Sequence, residues 1–297
     1  MFLSVVLPMT FVVLSWGLAS SIEVLSLRTL TPVEFTFFSS LLGMFGAMLI
    51  SAFNGRNKKA TAVCKHFYAR TFLLSMLGFA GYFLLKYTAY ALSPVPQANV
   101  IHYSFTIFIV LFASPLLGQR IGPAKLTGVV IGFAGVAVVM SDAGSFGGFR
   151  AAHLPGYFFA LGAGISFALF SVLMEKWQLD RLRSLVFLHG FSAAVLGIFL
   201  IATGGIQFPD SSAEILGAAY NGIVANALGM YFWLYAQSKC RDVSILTGVL
   251  YFIPFISLFF LRLLLAFPVP AATYTGLAFI VSGMLVHTVR SRMKKNR

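Results

Sequence analysis

Long apolar runs alternate along this chain with short polar connections. Each run has about the 20 residues that one helix needs to cross a bilayer. Barrel strands would show a strict alternation of apolar and polar positions, and these runs do not, whereas a helix satisfies its own backbone hydrogen bonds in hydrocarbon. The pattern predicts an all-α integral membrane protein with ten transmembrane helices, at residues 2–21, 32–52, 71–91, 96–116, 122–140, 155–175, 184–203, 213–236, 243–264 and 270–289.

Composition supports a membrane protein and leaves little room for other classes. Of the 297 residues, 59% are hydrophobic and 10% are charged, and the mean hydropathy is +0.90. One soluble core could not bury so much apolar surface. Short connections leave no space for a catalytic domain outside the membrane. The two cysteines, Cys64 and Cys240, lie in connections that we expect on the cytoplasmic side, where thiols stay reduced.

The distribution of basic residues predicts the orientation of the chain. With ten spans, 17 of the 21 Lys and Arg residues fall on one side of the membrane, in the tail and in the connections after the second, fourth, sixth and eighth runs. Cytoplasmic loops carry such an excess of positive charge. Both termini are therefore expected in the cytoplasm. The net charge of +13 needs no nucleic-acid partner, because no basic groove on a soluble module is indicated.

The two halves of the chain echo each other. Residues 81–136 and 229–284, aligned at a constant offset of 148, agree at eleven positions, against about four or five expected for so biased a composition. We predict a first repeat over 1–148 and a second over 149–297. Each repeat would hold five helices, and because five is odd the second repeat would be inverted. Inverted repeats are typical of carriers with a central substrate site. The matching positions of the first half are Gly81, Tyr87, Val95, Tyr103, Phe112, Leu116, Leu117, Ala124, Thr127, Gly128 and Gly135.

Glycines recur at close-packing intervals within both halves. They include Gly128, Gly132 and Gly135 in the fifth run and Gly276 and Gly283 in the tenth. Small residues let helices approach closely in lipid, where no hydrophobic force drives association. We expect these glycines to hold helices together and to make no contact with a ligand.

A family resemblance rests on the motifs between the third and fifth runs. They are Leu85-Lys86-Tyr87-Thr88, then Leu117-Gly118-Gln119-Arg120-Ile121-Gly122, then the run 128–138. With them the chain resembles the EamA-type transporters of the drug/metabolite transporter superfamily over nearly its whole length, in two copies. The resemblance implies a ten-helix carrier in a bacterial inner membrane that moves small metabolites, often outward, by alternating access. It would be a monomer or homodimer in contact with membrane lipid.

Polar and aromatic residues inside the runs are the candidate site. We predict a central cavity whose substrate-binding residues are Trp16, Lys86, Asn99, His102, Tyr103, Asn226 and Tyr251. Asn99, His102 and Tyr103 share neighbouring helix faces, and Tyr103 and Tyr251 are repeat partners. Glu34, Lys86 and His102 are the candidates for gating or coupling, because ionisable groups inside membrane spans mark pathways for substrates and ions.

Structural explanations remain open for several of these residues. Lys86 lies close enough to the outer end of its helix for its side chain to reach the interface. His102 is as readily a packing residue as a ligand. Asn226 could join two helices through hydrogen bonds, and Trp16 could be a core aromatic residue.

The inventory of candidate residues suits a small amphipathic zwitterion. Lys86 or His102 could bind the carboxylate of an amino acid, aromatic residues its side chain, and tyrosine and amide oxygens its ammonium group. We predict export of such a compound, with coupling to protons through His102 or Glu34 left open. The alternatives are a lipid or lipid-carrier flippase of the same fold and a carrier of organic cations or phosphorylated metabolites. No enzyme motif, cofactor motif or set of metal ligands occurs in the sequence.

Overall fold

The computed structural model describes residues 3–55, 66–118, 121–140, 151–239, 249–250 and 252–295. These residues form helices and no strands. In the described part of the chain we label ten helices. They are α1 (Leu3–Ser26), α2 (Pro32–Gly55), α3 (Phe67–Leu92), α4 (Val95–Leu117), α5 (Pro123–Met140), α6 (Ala151–Trp177), α7 (Arg181–Thr203), α8 (Ser212–Ala219, Tyr220–Leu228 and Gly229–Lys239 in succession), α9 (Ile253–Leu265) and α10 (Ala271–Lys295).

Seven helices of the described chain are long and apolar enough to cross a membrane, judged by length and composition. They are α1, α2, α3, α4, α6, α7 and α8. Three shorter apolar helices, Leu126–Met140, Ile253–Leu265 and Ala271–Gly283, fall in α5, α9 and α10. Each predicted run thus overlaps a helix, and the protein is a multi-pass membrane protein. The count of ten spans, the inverted repeat and the cytoplasmic termini stay predictions.

Local hydrogen bonds explain where α2, α7 and α8 begin. Before α2, the Thr31 N–H donates to Glu34 Oε2 (2.9 Å), and the Glu34 N–H donates to Thr31 Oγ1 (3.3 Å). At the start of α8, Ser211 Oγ accepts from the Glu214 N–H (3.3 Å), and Glu214 Oε2 accepts from the N–H of Asp210 (2.9 Å), one residue before the N-cap. Such capping boxes satisfy N–H groups that have no partner within the helix. At α7 the N-cap Asp180 accepts from the Arg183 N–H (2.8 Å).

Three helices depart from regular α geometry inside their apolar spans. Met76–Gly81 in α3 and Tyr220–Leu228 in α8 are π-helical. In α4, the turn Tyr103–Ser104 separates Val95–His102 from Phe105–Leu117. The π stretches end at Gly81 and directly before Gly229, two positions that the repeat aligns. π-helical turns often lie at functional sites.

The chain divides into two compact units, each built from segments of both halves. Unit 1 contains residues 1–84 and 178–257, and unit 2 contains residues 85–177 and 258–297. This division reflects packing, so the predicted repeat boundary at residue 148 stays a prediction.

In unit 1, α2 packs between α7 and α8, while α1 packs along α8 and α3 packs on α7. Small residues make these contacts close. A Cβ at Gly222 would approach the Ser39 carbonyl, and one at Gly46 would lie 3.3 Å from the Ala227 Cβ. Hydrogen bonds join the same helices: Ser40 Oγ and Ser192 Oγ are 2.9 Å apart, and Ser75 Oγ donates to the Leu188 carbonyl (2.6 Å).

In unit 2, α5 packs along α10, and α6 packs along both parts of α4. A Cβ at Gly135 would lie 2.5 Å from the Gly276 carbonyl oxygen, and one at Gly276 would lie 2.6 Å from that of Gly135. The close contact continues along the same two helices, where a Cβ at Gly283 of α10 would lie 2.9 Å from the Gly132 nitrogen of α5. The prediction that these glycines allow close helix packing is confirmed.

Candidate functional site

The interruption of α4 is the main irregularity of unit 2. The Ser104 N–H donates to the Ile101 carbonyl (3.0 Å), three residues back, and so leaves the α-helical pattern. Gly164 of α6 packs against this turn, where a Cβ would lie 3.1 Å from the His102 carbonyl oxygen and 3.3 Å from the Phe105 nitrogen. Irregular backbone at membrane depth occurs only where protein buries it or where it lines a cavity. In this protein, the close contact with α6 helps to bury the turn in α4.

Polar side chains gather at the turn. Asn99, His102 and Ser104 are all buried, with at most 1% of each exposed. Tyr90 of α3 donates its hydroxyl to Asn99 Oδ1 (2.9 Å). Ser104 Oγ has no hydrogen-bond partner within the described residues. An unpaired buried hydroxyl is costly, so Ser104 is included among the polar groups of the candidate site.

Lys86 supplies positive charge to the same region of unit 2. Its side chain is 5% exposed, and its Nζ lies 5.6 Å from the ring centroid of Tyr90 and 5.8 Å from that of Tyr87. Cation–π attraction acts within about 6 Å. Lys86 also interacts electrostatically with His102. Lys86, Asn99 and His102 are thus brought together, with Tyr90 as the common neighbour of Lys86 and Asn99.

Tyr103 lies in the turn itself. Its ring centroid is 4.2 Å from that of His102, with the rings tilted by 34°, and 6.0 Å from that of Phe105. The Tyr103 side chain is half-buried, unlike that of His102. The turn therefore presents an aromatic surface beside its polar groups.

In unit 1, Trp16 and Asn226 meet at the π-helical stretch of α8. The Trp16 indole N–H donates to the Ala225 carbonyl (2.7 Å). In a regular α-helix that carbonyl would accept from the Gly229 N–H, which here bonds to the Val224 and Asn226 carbonyls instead. Trp16 thus donates to a carbonyl that the Gly229 N–H does not use. A Cβ at Gly229 would lie 2.5 Å from Trp16 Nε1, so only glycine leaves room for the indole.

Two further hydrogen bonds define this region of unit 1. Asn226 Nδ2 donates to Asn221 Oδ1 (3.2 Å), within α8, and the Tyr220 hydroxyl donates to the Ser15 carbonyl (3.0 Å). The amide of Asn226 therefore bonds within its own helix, while Tyr220 and Trp16 bond to the neighbouring one.

The other two predicted residues are placed differently. Glu34 is buried at the start of α2, where its carboxylate accepts from both the Thr31 N–H and the Thr31 hydroxyl (2.7 Å to the latter). This local geometry gives Glu34 a helix-capping role. Tyr251 lies outside the described residues.

Sequence reasoning missed two residues. Tyr90 lies one helical turn after Lys86, a spacing that could have drawn attention to it. Glu23 is 1% exposed inside the apolar part of α1, Val5–Ser26. The predicted first span ended at residue 21, so Glu23 was counted with the connection. Its seven-residue spacing from Trp16 would have placed both on one helix face.

Comparison with known proteins relates the chain to membrane transporters. It is 30% identical over 221 residues to the "Aromatic amino acid exporter YddG" of Ancylobacter novellus, covering 72% of this chain and 74% of that protein. It is 24% identical over 298 residues to the "Uncharacterized transporter YvbV" of Bacillus subtilis, covering 97% and 93% of the two proteins. An "Uncharacterized transporter" of Archaeoglobus fulgidus is 25% identical over 289 residues, with 93% and 95% covered.

A solved crystal structure has the same fold. It superposes with a TM-score of 0.68 over 97% of each chain, at 22% sequence identity. The EamA-like transporter family matches residues 3–141 and 154–289, one range in each half of the chain. The chain therefore belongs to the EamA-like transporter family of the drug/metabolite transporter superfamily, whose members carry small molecules across membranes.

Proposed function

We propose that this protein is a secondary transporter that exports a small amphipathic amino acid, with an aromatic side chain preferred, by alternating access. It would act in a bacterial inner membrane with both termini in the cytoplasm, as the distribution of basic residues predicts. The family, the apolar helices and a relative named as an aromatic amino acid exporter support this proposal.

The observation that carries the proposal is the polar cluster at the interrupted helix α4. Lys86, Asn99 and His102 are buried in unit 2 within the apolar spans of α3 and α4. Ionisable residues in such positions mark substrate or ion pathways, and interrupted helices form substrate sites in several transporter folds. The Lys86 ammonium would bind the substrate carboxylate, and the amide of Asn99 and the hydroxyl of Ser104 would add hydrogen bonds.

The aromatic neighbours favour an aromatic side chain. Tyr87 and Tyr90 lie beside Lys86, and the half-buried Tyr103 ring faces that of His102. Aromatic pairs gain about 0.5–1.5 kcal/mol beyond the burial of their area. In this cluster a ligand with a carboxylate and a ring would meet both a cation and aromatic surface.

Other cargoes fit the cluster less well. A phosphorylated metabolite would require two or more basic partners, preferably with an arginine in bidentate contact. Among the described residues, Lys86 is the one Lys or Arg that we find in this cluster. An organic cation without a carboxylate would be repelled by Lys86. A lipid flippase would require a groove open to the bilayer.

Transport into everted membrane vesicles tests this function. Labelled phenylalanine and tryptophan are expected to enter the vesicles, in preference to sugar phosphates and quaternary amines. Lys86→Met is expected to weaken apparent affinity by about 10-fold to 100-fold, the loss of one charge-assisted hydrogen bond. Lys176→Met removes an exposed lysine at the end of α6 and is the matched control. Preferred uptake of sugar phosphates or quaternary amines, or equal uptake by the Lys86→Met protein, would reject the proposal.

Counterflow separates a carrier from a flippase. In proteoliposomes loaded with unlabelled phenylalanine, a carrier accumulates labelled phenylalanine transiently, because the unlabelled compound leaving the vesicle drives exchange. Translocation of a fluorescent lipid without amino-acid counterflow would favour the flippase.

A further inference from the structure

Glu23 is a buried acid that the proposed substrate site does not use. It lies inside the apolar part of α1, three residues before the helix ends at Ser26, and only 1% of its surface is exposed. Keeping an acidic residue inside a membrane span is costly, and such residues are most often part of an ion or substrate pathway.

Contacts along α1 locate Glu23 against α8 in unit 1. Seven residues earlier, on the same face, Trp16 bonds to the Ala225 carbonyl. Three residues later, Ser26 packs against Gly217, and Ile22 Cγ2 would lie 3.7 Å from a Cβ at Gly217. Glu23 is therefore level with the start of the π-helical stretch Tyr220–Leu228. The Glu23 carboxylate interacts electrostatically with Tyr220, whose hydroxyl donates to the Ser15 carbonyl.

Two other acids, Glu34 and Glu214, are buried among the described residues of unit 1, and both lie at the starts of helices. Glu34 and Glu214 are the third residues of α2 and α8, and each accepts a backbone N–H in a capping box. Negative charge is stabilising at a helix N-terminus. Glu23 lies in the last turn of α1, where a negative charge meets the negative end of the helix dipole. Helix capping therefore does not account for Glu23.

We propose that Glu23 is the proton-carrying residue of the export cycle. Its carboxylate takes up a proton from the outer side and releases that proton to the cytoplasm, while the amino acid moves outward. The proposal rests on the proposed function, because proton entry must be coupled to a substrate that leaves. It assigns proton coupling to Glu23 in place of Glu34, whose carboxylate caps α2.

The ionisable groups on the described helices around Glu23 can be placed from its contacts with α8 and from the contact of α1 with α9. On α8 the nearest is Tyr220, and Glu214 lies at the start of the same helix, bonded to Thr29 just after α1. Tyr231, Tyr235 and Lys239 lie toward the opposite end of α8, which packs around Met9. The part of α9 that packs on Gly17, residues 253–257, carries no ionisable side chain. Tyr220 is therefore the group of α8 whose titration has to be separated from that of Glu23 when the response of transport to pH is measured.

Purified protein in proteoliposomes with an acidic lumen tests the coupling. If one proton is exchanged per amino acid, a gradient of one pH unit supports about tenfold accumulation by the wild type. Glu23→Gln is expected to reduce this ratio to about one while keeping phenylalanine counterflow, and Glu23→Asp to retain part of the accumulation. Glu34→Gln and Glu214→Gln are matched controls that should lower thermal stability but keep the response to pH.

Two transport results would overturn the proposal. One is a Glu23→Gln protein that accumulates phenylalanine like the wild type. The other is a folded Glu23→Gln protein that has lost counterflow together with accumulation, because that result would make Glu23 a substrate ligand.

Chemical modification tests the same residue without any substrate. Dicyclohexylcarbodiimide reacts with protonated carboxyl groups in apolar surroundings. The mass of the peptide that contains Glu23 is expected to increase more as the pH falls, while the peptides with Glu34 and Glu214 change little. An unmodified Glu23 across the pH range would reject proton binding there. Modification of Glu23 in a protein that transports no amino acid would reject the proposed function alone.

Discussion

The α5/α10 pair of unit 2 and the α2/α8 pair of unit 1 both bring helix backbones into close contact through glycine, but they differ in backbone regularity. In α5/α10 the two helices are regular, and Gly135 and Gly276 face each other's carbonyl groups. In α2/α8 one partner is π-helical where Gly222 meets Ser39 and Gly43. Within the π-helical stretch the Gly229 N–H does not use the Ala225 carbonyl, and Trp16 of α1 donates to that carbonyl. The difference indicates that α5/α10 serves packing, while the irregular α8 combines packing with polar chemistry.

Gly276→Ala should give one of the two largest losses of stability. Its Cβ would lie 2.6 Å from the Gly135 carbonyl oxygen and 3.1 Å from the Val139 nitrogen, and backbone atoms cannot turn away as side chains can. Overpacking of this kind costs about 3 kcal/mol. The melting temperature of the detergent-solubilised protein measures the effect. Gly122→Ala, where nothing lies within 4 Å of the added Cβ, is the control. Equal melting temperatures for both variants would contradict a close α5/α10 contact.

Gly222→Ala should cost a similar amount of stability, about 3 kcal/mol, and should also lower transport per folded molecule. The added Cβ would meet the Ser39 carbonyl and lie 2.8 Å from the Gly43 nitrogen, so the π-helical stretch has to shift. Amino-acid counterflow, normalised to folded protein, measures the second effect. Gly190→Ala meets only the flexible Met44 side chain at 3.2 Å and serves as control. Unchanged counterflow in a destabilised Gly222→Ala protein would mean that α2/α8 serves packing alone, like α5/α10.

Trp16→Phe removes the indole N–H, so the Ala225 carbonyl loses the hydrogen bond that it accepts from this side chain. A buried acceptor that loses its partner costs about 1–3 kcal/mol. We expect a lower melting temperature and slower counterflow. Trp233→Phe alters an apolar cluster with Met9 and Ala236 and controls for the loss of aromatic area. If both variants behave alike, the bond from Trp16 to the π-helix contributes nothing specific.

His189→Leu should have the smallest effect, a gain of about 1 kcal/mol or less. Neither imidazole nitrogen of His189 has a hydrogen-bond partner in the described structure, and the ring packs edge-on against Phe79 at 4.6 Å. Replacing it with an apolar side chain of similar volume removes two unsatisfied polar atoms. Thermal stability and counterflow are measured together. A more stable protein with impaired transport would show that His189 has a role in transport.

Much of the candidate cluster in unit 2 could be predicted from sequence. Lys86, Asn99, His102 and Tyr103 were selected because polar groups are rare in apolar runs, and the structure places them in one unit around the turn of α4. Tyr90 was not selected, because a tyrosine in an apolar run is common and only its bond to Asn99 distinguishes it. The burial of Glu23 was missed because α1 continues to Ser26, beyond the predicted end of the first span at residue 21.

Hydropathy and charge are summed residue by residue, and they were sufficient to predict an all-helical membrane protein and the location of its helices. The family was predicted from the motifs between the third and fifth runs. Glycine spacing predicted that these helices pack closely, and the structure shows that the partners are α5 and α10. Neither hydropathy nor glycine spacing predicted the π-helical stretches of α3 and α8 or the turn in α4. A shift of one backbone hydrogen bond costs little, so contacts from other helices, such as Gly164 at the turn of α4 and Trp16 at Ala225, decide where it occurs. Those partners are distant in sequence, and only the tertiary structure brings them together.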